Sequence, residues 1–189
     1  MIYTKQYDAP PVRRAEILRY AGMREETAEV AALLDECLAE VAGALCYKVC
    51  YAEYQPLYAE WSIDLGFAEV ESLDLLRRLE GADAVLVFCA TVGVGMDRLI
   101  ARYARTSPAK ALLMEAIGNE RVESLCDAFC AEQNAVSPRF SPGYGDLPLS
   151  VQRDIFSALD CPRTLGVCLG ESLLMTPQKS VTALLGIRK

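Results

Sequence analysis

Apolar positions recur at helical spacing through the first quarter of the chain, then give way to the short aromatic and β-branched runs of strands. Ile17, Leu18 and Ala21 predict a helix over residues 13–21, with Gly22 as its stop. Val30, Leu33, Leu34, Cys37, Leu38 and Val41 share one face of a longer amphipathic helix over 25–42. Residues 45–54 and 58–65 read as two strands joined by Gln55-Pro56-Leu57, and 72–79 as a short helix ending near Gly81. The clearest strand is 83–91: Ala84-Val85-Leu86-Val87-Phe88-Cys89-Ala90 has no polar face, so both of its sides are expected to be covered.

Beyond a turn at residues 93–95, helical spacing resumes over 96–105 and again over 109–133. Pro108 stands at the first helical position, where its missing N–H costs nothing. The second of these helices, with a bend expected at Gly118, carries Val122, Leu125, Cys126 and Phe129 on its apolar face. Glu120, Glu123 and Asp127 run along a neighbouring edge. Three prolines and two glycines break regular structure over 137–148. A helix over 150–159 and strands over 164–169 and 180–187 complete the reading. No repeat, low-complexity tract or linker divides the chain. The expected architecture is therefore a single α+β domain over 1–189, a twisted and largely antiparallel sheet with surrounding helices.

Composition narrows what such a domain does. With 52% hydrophobic and 24% charged residues, 189 residues make a folded domain with a sizeable core. The net charge of −7 argues against a nucleic-acid partner, whose phosphates are held by clustered Lys and Arg. Residues 139–189 hold six Lys/Arg against four Asp/Glu, so the remainder carries −9. No apolar run reaches the roughly 18 residues of a membrane span, and the N-terminus lacks the basic-then-apolar pattern of a secretory signal. The expectation is a cytoplasmic protein with no membrane partner. In that setting the eight cysteines read as reduced thiols, with Cys89 and Cys168 lying inside apolar segments. No Cys-x-x-Cys pair occurs and the chain has no histidine, so a structural thiol is favoured over a metal ligand. The missing histidine also excludes Ser-His and Cys-His nucleophile systems.

Chemistry concentrates in Arg139-Phe140-Ser141-Pro142-Gly143-Tyr144-Gly145. Arg139 offers a planar fork for a carboxylate. Gly143 allows close backbone approach. Tyr144 offers a ring face for a base or for a sulfonium or ammonium cation. The same residues also suit a proline-rich surface turn with a solvated arginine and a tyrosine closing the core edge. Other motifs are thin: Gly93-Val94-Gly95 lacks the Lys-Ser/Thr of a phosphate loop, and Ser172 has no histidine to activate it.

This loop, with Gly170-Glu171-Ser172-Leu173-Leu174-Met175-Thr176-Pro177-Gln178-Lys179-Ser180-Val181-Thr182, resembles the activation domain of cobalamin-dependent methionine synthase. That family carries an Arg-x-x-x-Gly-Tyr loop and a Thr-Glu-Ser-Phe-x-Met-x-Pro-x-x-Ser-Val-Ser-type segment. Val85–Gly93 with Asp97, and Arg121–Phe129, extend the likeness more weakly, so that it covers about residues 83–187. The resemblance implies S-adenosylmethionine as ligand, and a role in remethylating inactive cob(II)alamin. That cobalamin is held by a partner methyltransferase chain, and a flavodoxin-like donor supplies the electron. Arg139, Gly143 and Tyr144 match the family's ligand loop, and Glu123 its acidic helix contact. Glu171 and Ser172 are expected to shape a turn rather than touch ligand. Two family contacts have no counterpart: a tyrosine in the last strand, where this chain has Leu184-Leu185, and an N-terminal aspartate. The sequence also lacks a cobalamin-binding Asp-x-His-x-x-Gly motif. An alternative is a docking or corrinoid-shielding module that has lost ligand binding; a third is an unrelated small-molecule-binding protein.

Overall fold

The computed structural model describes all 189 residues. In chain order its elements are β1 (Tyr3–Tyr7), α1 (Arg14–Tyr20), α2 (Ala28–Ala42), β2 (Tyr47–Tyr54), β3 (Leu57–Tyr58), β4 (Ser62–Asp64), β5 (Glu69–Glu71), α3 (Leu73–Arg78), β6 (Ala84–Thr91), α4 (Val94–Tyr103), α5 (Pro108–Ala131), α6 (Val151–Leu159), α7 (Cys161–Thr164), β7 (Cys168–Leu169), β8 (Met175–Thr176) and β9 (Ser180–Ile187). The main sheet has the order β1-β2-β6-β9, with every neighbouring pair antiparallel. It is the expected α+β fold with helices on both faces.

The apolar run at 84–91 forms β6, buried along its whole length. Strand periodicity sends its residues alternately to two cores. Leu86, Phe88 and Ala90 meet Ile17, Leu34, Met96 and the α5 residues Ile117, Leu125 and Phe129. Val85, Val87 and Cys89 meet Leu75, Ile155, Leu159 and Cys161 on the other face. Each fully buried large side chain contributes about 1.5–3 kcal/mol of transfer free energy. An aromatic ladder ties the sheet edge to α5: Tyr3 stacks on Tyr51 at 5.4 Å, and Tyr51 and Phe88 lie 5.2 and 4.8 Å from Phe129.

Several elements differ from the sequence reading. Strand β1 was not expected; its signal is the alternation of Tyr3, Lys5 and Tyr7 with Thr4 and Gln6, in a segment mostly exposed at the sheet edge. The single strand read over 58–65 is two, because the chain reverses at Ala59, whose N–H bonds to Ser62 O at 2.9 Å. A third short strand, β5, then pairs with β4. The strand read over 164–169 shrinks to β7. Pro162 opens a helical turn at 161–164, and the Thr164 hydroxyl donates back to Asp160 O at 2.9 Å. Cys168 is consequently exposed rather than inside an apolar strand, while Cys37, Cys50, Cys89, Cys126 and Cys161 are buried. Helix α5 runs through Gly118 without interruption. The glycine serves close approach instead, since a Cβ there would stand 2.9 Å from Lys179 and Met96. No helix is long and apolar enough to cross a membrane.

Candidate functional site

The Arg139–Gly145 loop is held at three points. Phe140 and Leu184 form an isolated antiparallel bridge, with N–O distances of 2.9 and 2.8 Å, so the loop continues the sheet past β9. Asp146 caps α3: its carboxylate accepts from the Ser72 hydroxyl and from Leu73 N at 2.8 Å and Asp74 N at 3.2 Å. Bonding to Ser72 first, and then to those backbone N–H groups, holds the Asp146 pKa below the usual carboxylate range. At the other end of α3, the Ser137 hydroxyl donates to Arg78 O at 2.5 Å. Gly143 and Gly145 have φ of +90° and +53°, and a Cβ on Gly145 would stand 2.4 Å from an Asp74 carboxylate oxygen. The loop therefore needs glycine for its path as well as for any ligand.

Between this loop, α5, α6 and β9 lies a cavity of about 530 Å³. Arg139, Tyr144 and Glu123 all line it; Gly143 shapes the loop behind its wall, its N–H bonded to Leu147 O at 2.9 Å. Arg139 does not point into empty space. It donates from Nη1 to Asp127 Oδ1 at 2.6 Å and from Nη2 to Glu123 Oε2. Burial works against the guanidinium's charge, but the two carboxylates outweigh it and hold the pKa above the ordinary arginine value. Burial pushes the neighbouring thiols of Cys126 and Cys130 up, so both stay neutral beside the pair. Glu123 is engaged through Oε2 alone, so Oε1 has no donor within the protein.

The remaining wall is mixed. Phe140, Met175 and Val181 supply apolar surface, with Arg78 at the rim 5.7 Å from the Phe140 ring centroid. Gln152 and Thr182 are each only 3% exposed, and both reach the cavity. Sequence reading missed these two, as well as Arg78, because nothing in their local spacing separates them from ordinary polar helix and strand positions. Glu171 and Ser172 lie in the tight β7–β8 turn, away from the cavity, where Leu173 N bonds to Gly170 O at 3.0 Å. Leu184 and Leu185 are both buried in the sheet, so β9 presents Ser180, Val181 and Thr182 to the cavity and no aromatic ring.

Glu120, on the helix edge beside the apolar face, is wholly buried. Its carboxylate accepts from Arg121 Nε at 2.5 Å and Nη2 at 2.6 Å, from the Ser124 hydroxyl at 2.6 Å and from Arg13 N at 3.2 Å. Arg121 also donates to Pro10 O at 2.6 Å and Pro11 O at 2.9 Å, fastening the N-terminal segment to α5. Burial alone would raise the Glu120 pKa, but the Arg121 and Ser124 bonds overcome it and leave the group below its ordinary value.

Sheet, helix layers and edge cavity together define an α+β domain with a ligand-sized cleft beside its last strand. The chain has the fold of a methionine synthase reactivation domain. Among solved structures it is similar over 100% of its length to the MetH reactivation domain bound to AdoHcy, with a TM-score of 0.73, 13% identity and 78% of that chain covered. No protein-family model and no curated protein matches the sequence.

Proposed function

We propose that the cavity beside β9 binds S-adenosylmethionine, and that the chain serves as a reactivation module for a cobalamin-dependent methyltransferase carried on a separate polypeptide. One observation carries the reading. The Arg139–Tyr144 loop and Glu123 of α5 meet across one cavity, in a fold shared with a reactivation domain solved with AdoHcy. A volume of about 530 Å³ falls within the ordinary range of small-ligand sites. The pair Arg139–Glu123 matches the amino-acid end of the ligand by charge. The ligand's ammonium takes the free oxygen of Glu123, its carboxylate approaches Arg139, and Asp127 keeps the guanidinium oriented. Tyr144, 68% exposed, has its ring available to a sulfonium or a base. A site with no histidine suits this task, because presenting a sulfonium methyl group relies on placement rather than proton transfer. The electron for such a reaction would come from a flavodoxin-type donor, also a separate protein.

A docking or shielding module without ligand is the competing reading, favoured by the engaged state of Arg139 and by the buried Leu184 and Leu185. Calorimetric titration with S-adenosylmethionine separates the two. Saturable heat is expected, and Arg139→Met should weaken binding about tenfold or more, the value of one or two hydrogen bonds to a charged group. Folded protein that gives no heat at millimolar ligand would establish the docking reading instead.

A further inference from the structure

On the wall of the cavity formed by α6 and β9, two polar side chains stand without partners. Gln152, on the first turn of α6, and Thr182 of β9 are each 3% exposed, and what exposure they keep opens to the cavity. Thr182 shares its sheet face with Leu184, which packs with Ile155 and Leu159 of α6. Neither the Gln152 amide nor the Thr182 hydroxyl has a hydrogen-bonding partner inside the protein, although Ser180, two residues from Thr182, donates to Pro177 O at 2.8 Å. Both side chains line the cavity, so their hydrogen-bonding capacity, unspent within the protein, is open to an occupant of it.

The chemistry of that occupant follows from the amide. It offers a donor and an acceptor side by side, so a carboxylate, which only accepts, or an ammonium, which only donates, satisfies half of it. The charged end of the cavity is in any case on the α5 side, at Glu123 and Arg139. An uncharged heterocycle edge that carries an amino group next to a ring nitrogen satisfies both atoms, and glutamine pairs with adenine in this manner. We infer that Gln152 reads the 6-aminopurine edge of the ligand, with the Thr182 hydroxyl as an accessory contact, and that it sets base specificity. This rests on the nucleoside-binding reading above and adds the group that distinguishes adenosyl from other nucleosyl ligands.

The test compares S-adenosylhomocysteine with S-inosylhomocysteine, in which an oxo acceptor replaces the 6-amino donor and N1 carries a proton. Wild-type protein should prefer the adenosyl ligand by about tenfold or more. Gln152→Met should lower adenosyl affinity by a similar factor and bring the ratio of the two ligands close to one. Thermal unfolding supplies the second readout. Because the amide has no partner in the protein, Gln152→Met should melt no lower than wild type, whereas a structural glutamine would lower the midpoint. The inference is overturned if wild type binds both ligands equally, if Gln152→Met keeps the preference, or if that variant melts lower with its ligand ratio unchanged. Wild type that binds neither ligand removes the nucleoside-binding reading itself, and this inference with it.

Discussion

Two arginine–carboxylate clusters stand one turn apart on α5 and differ in what they leave open. At Glu120–Arg121 each group is enclosed: the carboxylate takes bonds from Arg121, Ser124 and Arg13, and the guanidinium spends its remaining donors on Pro10 and Pro11 carbonyls. At Glu123–Arg139 the side chains keep 35% and 21% of their surface, and one oxygen of Glu123 is free beside a cavity. The ingredients are alike, yet one cluster closes a joint and the other fronts a space. A guanidinium among carboxylates is therefore no mark of a site; an unspent acceptor next to an accessible volume is.

That contrast is open to attack at each cluster. The largest effect is expected from Arg121→Met, which strands the Glu120 carboxylate. Unfolding in urea should show a loss of about 3–5 kcal/mol, and a loss under 1 kcal/mol would erase the distinction. Arg139→Met should weaken S-adenosylmethionine binding as above, while costing no more than about 1 kcal/mol of stability, since the pair is partly exposed. Acid titration sharpens the comparison further. Glu120 has a depressed folded pKa, so its contribution is fully present above the unfolded value of about 4.3 and fades as pH falls through the lower folded value. Wild type should therefore lose stability on acidification below about pH 4, and Glu120→Gln, less stable at neutral pH, should lose less over that window. The smallest effect is expected from Tyr144→Ala: about a two- to fivefold loss of ligand affinity, the scale of an exposed cation–π contact, with the urea midpoint unchanged.

Much of this was legible in the residues themselves. The all-apolar run of β6, the capped and periodic helices, and the proline–glycine loop each carry a local physical signature, and each stands close to where that signature places it. The motif pair, rather than periodicity, singled out the loop and Glu123, and the structure brings Arg139, Tyr144 and Glu123 to one cavity. What escaped depends on tertiary context. Strand β1 is five residues long and mostly exposed on the sheet edge, so its alternation involves Lys5 as well as Tyr3 and Tyr7 and gives only a weak signal. The helical turn at Cys161–Thr164 is decided by Pro162 and by the Thr164 hydroxyl against a segment that otherwise reads as strand. Burial of Glu120 depends on Arg13 and the Pro10–Pro11 segment, more than a hundred residues away in sequence. Gln152 and Thr182 become visible only when a wall without partners can be seen around them.

The bridge between Phe140 and Leu184 has one more consequence. A segment stitched into a sheet by two main-chain bonds makes a fixed doorway rather than a flap, so under the proposed function S-adenosylmethionine should enter and leave with simple one-step kinetics and no slow gating phase. Such a doorway cannot shut behind its guest. If the proposed function holds, cover for the exposed flank of the occupant would come from the partner methyltransferase rather than from this chain.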